Sequence, residues 1–467
     1  MDNPLRNIPS VNQILNTPQI KSVVESVNHN AVVSGIRKSL DQLREQVNTA
    51  ASIEIPSATE LAQKIADLIQ HEEVARLRKV INATGVILHT GLGRAPLAQE
   101  AIDEINQIAS GYGSVELDLA TGQRTQRTKI VERLLCELTG AEAAVVVNNN
   151  AAATMITVTA LAKDREVIVS RGQLVEIGGS YRLPDVMSCS GAQMVEVGTT
   201  NKTHLSDYES AITENTGAIL RVHPSNFRVV GFTQSVELAD LLSIGKRHGV
   251  PVVDDIGSGA LIDYSKFGLE DEPLAADSIK EGADVALFSG DKLLGGPQCG
   301  IIVGKTKYIK MILKNPLCRA MRVGKLTLAA LYATLKIYRN PVEAETKIPC
   351  LAALSTPLDN LKLRAERMAP QIGQFEKIQS AEVIETKATL GGGSLPAQQV
   401  DSIGICLTPA RISVDKLASQ LRDATPSVVG RIENDTLILD LKAVSPSEDT
   451  RLLESIRAAA NAVAAKE

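Results

Sequence analysis

The feature that most constrains the fold is a regular alternation of strand-like and helix-like segments between residues 143 and 303. Short apolar runs of the length of buried strands alternate with longer stretches in which apolar residues recur at helical spacing. Seven strands are predicted, at 143–147, 166–170, 194–197, 218–222, 250–253, 284–288 and 300–303. This alternation predicts an α/β fold with a mainly parallel sheet and helices on both faces. Such sheets bind ligands at the carboxyl ends of their strands, so functional residues are expected there.

Two further regions flank this α/β part of the chain. Residues 1–70 contain four stretches with apolar residues three and four positions apart, which predict a small helical domain. After about residue 345 the pattern changes to a long amphipathic helix, several strands and a closing helix, which predicts a compact α+β domain. The predicted domains are therefore 1–70, 71–345 and 346–467.

Composition and charge exclude several classes of protein. Charged residues at 22% and hydrophobic residues at 44% are typical of a globular protein rather than a disordered one. The sequence has no apolar stretch of membrane-spanning length and no signal-peptide pattern, so a cytoplasmic protein without membrane contact is predicted. The six cysteines are scattered singly, so neither a disulfide framework nor a zinc site is expected. With a net charge of −5, any RNA partner would have to be met by local basic patches.

The connection between the last two predicted strands carries a lysine, Lys292, between Ser289 and Gly300. Four glycines in this stretch allow the backbone and a bulky ligand to approach each other closely. A desolvated lysine has a lowered amine pKa, which is what an amine that forms a Schiff base requires. The alternative is an ordinary exposed lysine in a turn.

A second group of polar residues lies where the first predicted strand passes into a helix. Asn148, Asn149 and Asn150 precede Ala151, so backbone amides and asparagine side chains would meet at the start of that helix. This arrangement predicts a binding site for a phosphate group. The alternative is an asparagine that only caps a buried helix.

Two more strand ends carry candidate residues. Asp254 and Asp255 follow the strand at 250–253, and a carboxylate there could hold a protonated heterocyclic nitrogen. Asp255 is preferred because it lies where the apolar run gives way, although the sequence does not decide between the two aspartates. A helix cap or a buried ion pair is the alternative role for this carboxylate. His223 ends the strand at 218–222 and is either a cofactor contact or a structural histidine.

Phosphate site, carboxylate and lysine occur in a fixed order along the chain. No single piece is specific, but the ordered set is typical of a pyridoxal-phosphate enzyme of the aminotransferase-like fold.

Ten stretches of the sequence resemble one family closely, the bacterial selenocysteine synthases, or L-seryl-tRNA(Sec) selenium transferases. They lie at 81–94, 113–118, 148–153, 171–179, 223–227, 255–259, 289–300, 319–325, 391–396 and 430–434. The likeness covers essentially the whole chain, including the helical N-terminal region.

The resemblance implies roles for individual residues. Lys292 would hold pyridoxal 5'-phosphate and Asp255 would face its ring nitrogen, which makes these two the candidate catalytic residues. Further cofactor contacts are expected from Asn148, Asn149, Asn150, Ala151, His223 and Ser289. The expected binding site for selenophosphate, the selenium donor, consists of Arg94, Arg319 and Arg322. Guanidinium groups bind such an anion with two hydrogen bonds each, but Arg319 and Arg322 also have the spacing of a pair on a solvated helix face.

The resemblance also implies the reaction and the partners. Serine carried on tRNA(Sec) would lose its hydroxyl to give an aminoacrylyl-tRNA, to which selenium adds to give selenocysteinyl-tRNA(Sec). A homodecamer built from five dimers is implied, with the N-terminal helices touching the tRNA. Two alternatives stay open. One is a related pyridoxal-phosphate lyase that acts on a small amino acid or amino-sugar phosphate without tRNA, and the other is a non-catalytic RNA-binding scaffold.

Overall fold

The computed structural model describes residues 8–49, 56–73, 77–178, 181–270 and 272–461. Gly179, the last residue of the resembling stretch at 171–179, lies outside them. The helices are α1 (Val11–Leu15), α2 (Pro18–Ser26), α3 (His29–Thr49), α4 (Ala58–Glu73), α5 (Gln99–Ala109), α6 (Lys129–Thr139), α7 (Asn150–Ala162), α8 (Leu183–Ser190), α9 (Leu205–Ala211), α10 (Leu238–His248), α11 (Ala275–Glu281), α12 (Thr306–Lys314), α13 (Leu317–Ala320), α14 (Lys325–Ile337), α15 (Pro341–Lys347), α16 (Pro349–Ser355), α17 (Leu358–Ile372), α18 (Val414–Asp423) and α19 (Asp449–Asn461). The strands are β1 (Val80–Asn82), β2 (Ala143–Val147), β3 (Glu166–Ser170), β4 (Glu176–Ile177), β5 (Tyr181–Arg182), β6 (Gln193–Val197), β7 (Thr216–Val222), β8 (Val252–Gly257), β9 (Val285–Ser289), β10 (Gly300–Gly304), β11 (Ile378–Ala388), β12 (Val400–Pro409), β13 (Ser427–Val429), β14 (Arg431–Glu433) and β15 (Thr436–Asp440).

The chain divides into two compact units, Met1–Lys79 and Val80–Glu467. In the described part of the first unit, α1 to α4 pack around a core formed by the apolar residues that recur at helical spacing. Gly35 of α3 lies against α4, because a Cβ at that position would come within 2.8 Å of the Ile69 side chain. The domain limits predicted at 70 and 345 stay predictions.

A seven-stranded sheet forms the centre of the second unit. The strand order is β2-β10-β9-β8-β7-β3-β6, in which β10 runs antiparallel to both of its neighbours and the other pairs are parallel. The orientation of β10 follows from the short connection before it, since a parallel crossover needs a dozen or more residues. The predicted mainly parallel α/β sheet is therefore confirmed.

Both faces of this sheet are covered by helices. Alternate residues of each strand point to opposite faces, so that Val146 and Phe288 join a core with α6, α14 and α16. Val145 and Leu287 join a different core with α7 and α12. Covering both faces excludes water from the strand interiors and leaves the strand ends as the accessible edge.

A smaller antiparallel sheet, in the order β11-β12-β15-β14, packs against α17, α18 and α19. The short strand β1 belongs to this region, because it pairs in parallel with β13 and its Ile81 lies in the same core. Within the described ranges, the chain contains no helix that is long and apolar enough to cross a membrane.

Candidate active site

Lys292 lies on the hairpin that joins β9 to β10, beyond the carboxyl end of β9 in the large sheet. The backbone amide of Gly290 donates to the carbonyl of Cys299 (2.9 Å), and that of Leu293 donates to the carbonyl of Ser258 (3.0 Å). The second bond ties the loop to the residue that follows β8. Lys292 is only 5% exposed, so the structure places it as a buried lysine and not as an exposed turn residue.

Two glycines of the hairpin are required by close packing. A Cβ at Gly290 would lie 2.4 Å from the Cys299 sulfur, and a Cβ at Gly300 would lie 2.1 Å from the carbonyl oxygen of Asn149. Real Cβ atoms do not approach other atoms so closely. Gly290 therefore lets the hairpin close on itself, and Gly300 lets it pack directly against the start of α7.

The charge state of Lys292 is set by burial and by its neighbours. Burial lowers the pKa of the amine below its usual value of 10.5, and the positive charge of Arg94 lowers the pKa further. The carboxylates of Asp255, Asp291 and Glu272 act in the opposite direction. An amine whose pKa is lowered in this way is more often neutral and can act as a nucleophile or a base.

Asp255, in β8, is buried and faces the start of α7. Its Oδ1 accepts from the Asn150 Nδ2 (2.9 Å) and from the backbone amide of Gly257 (3.2 Å), and its Oδ2 accepts from the Thr154 hydroxyl (2.8 Å). Burial raises the pKa of this carboxyl, while the two side-chain hydrogen bonds and the charge of Lys292 lower it. Each charge also affects the pKa of the other group, since the Lys292 ammonium lowers the pKa of Asp255 and the Asp255 carboxylate raises that of Lys292.

Asp254 points to the opposite face of the same strand. Its Oδ1 accepts from Arg221 (2.9 Å) and its Oδ2 accepts from the Ser278 hydroxyl of α11 (2.7 Å). Since successive strand residues alternate between faces, only Asp255 can point toward α7 and the lysine. The geometry thus favours Asp255, as the sequence argument did.

The three consecutive asparagines have three different roles. Asn149 caps α7, because its side chain accepts from the amide of Ala152 (2.8 Å), whereas Asn150 bonds to Asp255. Asn148 is exposed and donates its backbone amide to the carbonyl of Met321 (2.9 Å). Half-buried Ala151 lies in the first turn of α7, next to the amides at the helix start. Asn149 is therefore a helix cap, which was the alternative to a phosphate-binding role. The start of α7 could still bind an anion in the presence of this cap.

The three arginines occupy different places. Arg94 lies at the lysine loop, where its Nη1 is 2.7 Å from Asp291 Oδ2, and its backbone has a positive φ of 62°. Arg319 and Arg322 are exposed and line a cavity of about 1100 Å³, which neither Arg94 nor Lys292 lines. Arg322 forms an isolated bridge with Val147, at the strand end that leads to the asparagines. The geometry of one chain thus gives the two groups of arginines separate surroundings.

His223 and Ser289 both lie at the carboxyl edge of the sheet. The amide of His223 donates to the carbonyl of Asp255 (2.9 Å), which fixes the histidine beside the end of β8. Its side chain lines a cavity of about 400 Å³ at the ends of β3 and β7. Ser289 is the last residue of β9 and is buried.

Sequence reasoning missed three polar residues of this site. Thr154 is fully buried and donates to Asp255, and its position one helical turn after Asn150 could have revealed it. Burial raises the pKa of the Tyr181 hydroxyl, as does the nearby charge of Asp255. Burial also raises the pKa of Glu272 to about 7. Neither Tyr181 nor Glu272 follows a strand of the large sheet, so no pattern indicated them.

The turn at 391–394 completes the surroundings of the lysine. Its three glycines have positive φ values of 65° to 73°, and a Cβ on Gly393 would lie 3.8 Å from the Lys292 Nζ. The Ser394 hydroxyl and the Asn150 Oδ1 are buried and have no hydrogen-bond partner among the described residues. Buried polar atoms are normally hydrogen-bonded, so these two have unused capacity for a polar ligand.

The arrangement combines a buried amine, a buried carboxylate and a helix N-terminus at adjoining strand ends. It can hold an anionic group, keep a proton on a heterocyclic nitrogen and present an amine to a carbonyl carbon.

Comparison with known proteins gives the same picture. The family described as L-seryl-tRNA selenium transferase matches residues 80–445, and the one described as selenocysteine synthase N terminal matches residues 5–44. The L-seryl-tRNA(Sec) selenium transferase of Carboxydothermus hydrogenoformans is 44% identical over 95% of this chain and 95% of its own length. The protein of the same name from Hyphomonas neptunium is 43% identical over 98% and 99%.

Among solved structures, a D-glucosaminate-6-phosphate ammonia-lyase resembles the fold with a TM-score of 0.58 and 21% identity, over 84% of this chain and 98% of that one. At this identity the likeness concerns the fold alone. The family match, in contrast, extends over most of the second unit and is joined by near full-length relatives. The chain therefore belongs to the L-seryl-tRNA selenium transferase family.

Proposed function

We propose that this protein converts L-seryl-tRNA(Sec) to L-selenocysteinyl-tRNA(Sec), with pyridoxal 5'-phosphate as cofactor and selenophosphate as selenium donor. The observation that carries the proposal is the buried pair of Lys292 and Asp255 at neighbouring strand ends, in a chain of this family. A pyridoxal-phosphate transferase of this fold uses an amine to bind the cofactor aldehyde and an anionic partner for its ring nitrogen.

The residues present fit the cofactor. Lys292 supplies the amine, Asp255 the carboxylate for the ring nitrogen, and the N-terminus of α7 supplies amides for the phosphate. The buried, unpartnered Asn150 Oδ1 and Ser394 hydroxyl leave polar atoms available to a ligand. When bound, pyridoxal phosphate withdraws electrons from the α-carbon of an amino acid and so weakens the bonds to that carbon.

The protein groups then have distinct tasks. Because burial lowers the pKa of the Lys292 amine, its neutral form is more accessible and can take the α-proton of the seryl group and later return a proton to the same carbon. Asn150 and Thr154 donate to Asp255 and so oppose the rise in its carboxyl pKa that burial causes, which favours the charged form toward the ring nitrogen. Arg94 adds positive charge beside the lysine and can attract the anionic selenium donor.

The test is conversion of serylated tRNA(Sec) by the purified protein with pyridoxal phosphate and selenophosphate, with serylated serine tRNA as control. We expect selenocysteinyl-tRNA only from tRNA(Sec), and no product from Lys292→Ala, which should also lose the visible absorbance of the lysine-bound cofactor. Equal turnover of the Lys292→Ala variant would refute the lysine assignment, and failure of the unmodified protein would refute the function.

The first unit is proposed to bind tRNA. Arg37 and Lys38 are exposed on α3 in a unit of four small helices, and phosphate contacts by a few such residues support RNA binding. Deletion of residues 1–79, at the boundary between the two units, should weaken tRNA binding and leave cofactor absorbance intact. Unchanged tRNA affinity would refute this role.

A homodecamer with sites between subunits, and a cytoplasmic location, complete the proposal. The exposure of Arg319 and Arg322 supports a role for them toward a neighbouring subunit. Native mass spectrometry tests the assembly, and a dimer at working concentration would refute the decamer. A lyase acting without tRNA is disfavoured because the chain also matches the family's N-terminal region.

A further inference from the structure

Glu272 is held in a fixed position between two parts of the second unit. Its Oε1 accepts from the hydroxyl of Ser258, which is fully buried, and its carboxylate also accepts from the backbone amide of Leu395. Ser258 in turn accepts from the amide of Leu293 through its carbonyl. Glu272 is therefore connected, through one residue, to the loop that carries Lys292.

Glu272 lies at a cavity beside the carboxyl end of β7. This cavity, of about 400 Å³, is also lined by His223 and Leu395. Glu272 and Lys292 alter each other's pKa by their charges. The charged and titratable groups around it are Lys292, Tyr264 and the cavity residues His223, Arg221 and Arg228.

The proposed reaction needs an acid that the assignments above do not supply. Hydroxide is a poor leaving group, so the seryl oxygen must receive a proton as its bond to carbon breaks. Lys292 is engaged with the α-proton, and Asp255 is fixed by three hydrogen bonds on the ring-nitrogen side.

We propose that Glu272 donates the proton with which the seryl hydroxyl departs as water, and regains a proton from the incoming selenium nucleophile. The inference rests on the proposed function of this site. It assigns a second proton-transfer group, distinct from Lys292.

The two half-reactions balance. Lys292 takes the α-proton, the electrons of that C–H bond form a bond between the α- and β-carbons, and the C–O bond breaks with its electron pair on oxygen. Glu272 gives that oxygen a proton, so water leaves. The selenium of selenophosphate then bonds to the β-carbon and gives its proton to the Glu272 carboxylate, while Lys292 returns a proton to the α-carbon. A water molecule breaks the Se–P bond, so that its OH leaves on phosphorus as inorganic phosphate and its other proton stays on selenium. Both side chains end as they began.

The protonation of Glu272 suits this role. Burial raises its pKa to about 7, while the bond from Ser258 lowers it. A carboxyl with that pKa is present as the acid in a substantial fraction near neutral pH and can also act as a base. Because the acid form is the one required for loss of water, the elimination rate should fall as the pH rises above this value.

The experiment compares Glu272→Gln with Glu270→Gln, an identical chemical change at an exposed position two residues away. Each loaded variant is given tRNA(Sec) carrying either serine or β-chloroalanine, whose chloride leaves without a proton. With serine, we expect Glu272→Gln to be slower by about 10²- to 10⁴-fold in a single turnover, and its rate to lose the fall at high pH. With β-chloroalanine, it should match Glu270→Gln within a few-fold.

A measurement on the cofactor-free protein is independent of turnover. Infrared difference spectra recorded between acid and alkaline pH should show a protonated-carboxyl band that titrates near neutrality and disappears in Glu272→Gln. Equal slowing with both substrates would mean a structural role and would overturn the proposal, as would wild-type rates with serine. Absence of the infrared band from the unmodified protein would also overturn it. If the unmodified protein converts neither substrate, the proposed function itself fails.

Discussion

Two buried threonines on one helix provide a matched test of the Asp255 site. Thr154 and Thr157 of α7 are both fully buried. The Thr154 hydroxyl lies 2.8 Å from Asp255 Oδ2 and 3.0 Å from the carbonyl oxygen of Asn150. The Thr157 hydroxyl has no hydrogen-bond partner within the described ranges. Replacement by valine keeps the branched shape at each position and removes only the hydroxyl.

The two substitutions should change stability in opposite directions. A hydrogen bond to a charged group contributes about 1.5–3 kcal/mol, so Thr154→Val should lower the free energy of unfolding by about 2 kcal/mol. A buried hydroxyl without a partner costs about 1–3 kcal/mol, so Thr157→Val should raise the free energy of unfolding by about 1 kcal/mol. Helix propensity cancels because the same change is made twice on one helix.

The assay is urea unfolding of the cofactor-free protein, followed by circular dichroism at one fixed protomer concentration. Similar m-values in the three proteins would show that the midpoints can be compared. Thr154→Val should also weaken cofactor binding, since it removes a bond that lowers the pKa of Asp255. If both variants were destabilised equally, the hydrogen-bond assignment at Asp255 would be wrong.

Three further predictions concern other parts of the second unit. Burial lowers the pKa of Lys292 in the folded state below its usual value of 10.5. Between the folded-state pKa and 10.5, the cofactor-free folded state binds fewer protons than the unfolded state, so the unmodified protein becomes more stable as the pH rises. The stability gained by Lys292→Met, measured in urea titrations, should therefore shrink as the pH rises toward 10.5. Gly300→Ala brings a Cβ within 2.1 Å of the Asn149 carbonyl and should cost about 1–3 kcal/mol; unchanged thermal unfolding would contradict this contact. Asp449→Ala leaves the half-buried Arg364 without its ion-pair partner at 2.6 Å and should cost about 1.5–3 kcal/mol, and a loss below about 1 kcal/mol would place this pair among weak surface pairs.

The accuracy of the predicted strands followed from how their residues are buried. The ranges predicted for β2 and β3 match the structure, because both short strands have an apolar centre and are buried over almost their whole length. The strand at 250–253 was predicted to stop before Asp254, but β8 extends to Gly257. The apolar pattern used to predict strands ends at two aspartates. In the fold these aspartates continue the strand because their carboxylates accept hydrogen bonds from Arg221, Ser278, Asn150 and Thr154. Strands of two or three residues, such as β1 and β4, are too short to give a periodic signal.

The candidate site was predictable only where its residues follow strands. Lys292 and Asp255 were identified because they follow apolar runs, Lys292 on a glycine-rich connection and Asp255 at a strand end, where sheets of this kind bind ligands. Glu272 precedes α11 on an irregular segment, and its position near the lysine depends on the folding of the 391–396 region. The roles given to individual site residues remain predictions, since the geometry supplies their places and not their chemistry.

The pairing of β1 with β13 has a consequence for synthesis of the protein. Val80 pairs with Ser427, so the first strand of the second unit can form its backbone hydrogen bonds only after the chain has been synthesised beyond residue 427. A nascent chain that has left the ribosome as far as the lysine loop would still expose Ile81 and its apolar neighbours. A fragment of residues 346–467 would lack β1. Expression trials that aim to keep β1 paired with β13 should therefore use the second unit from Val80 onward.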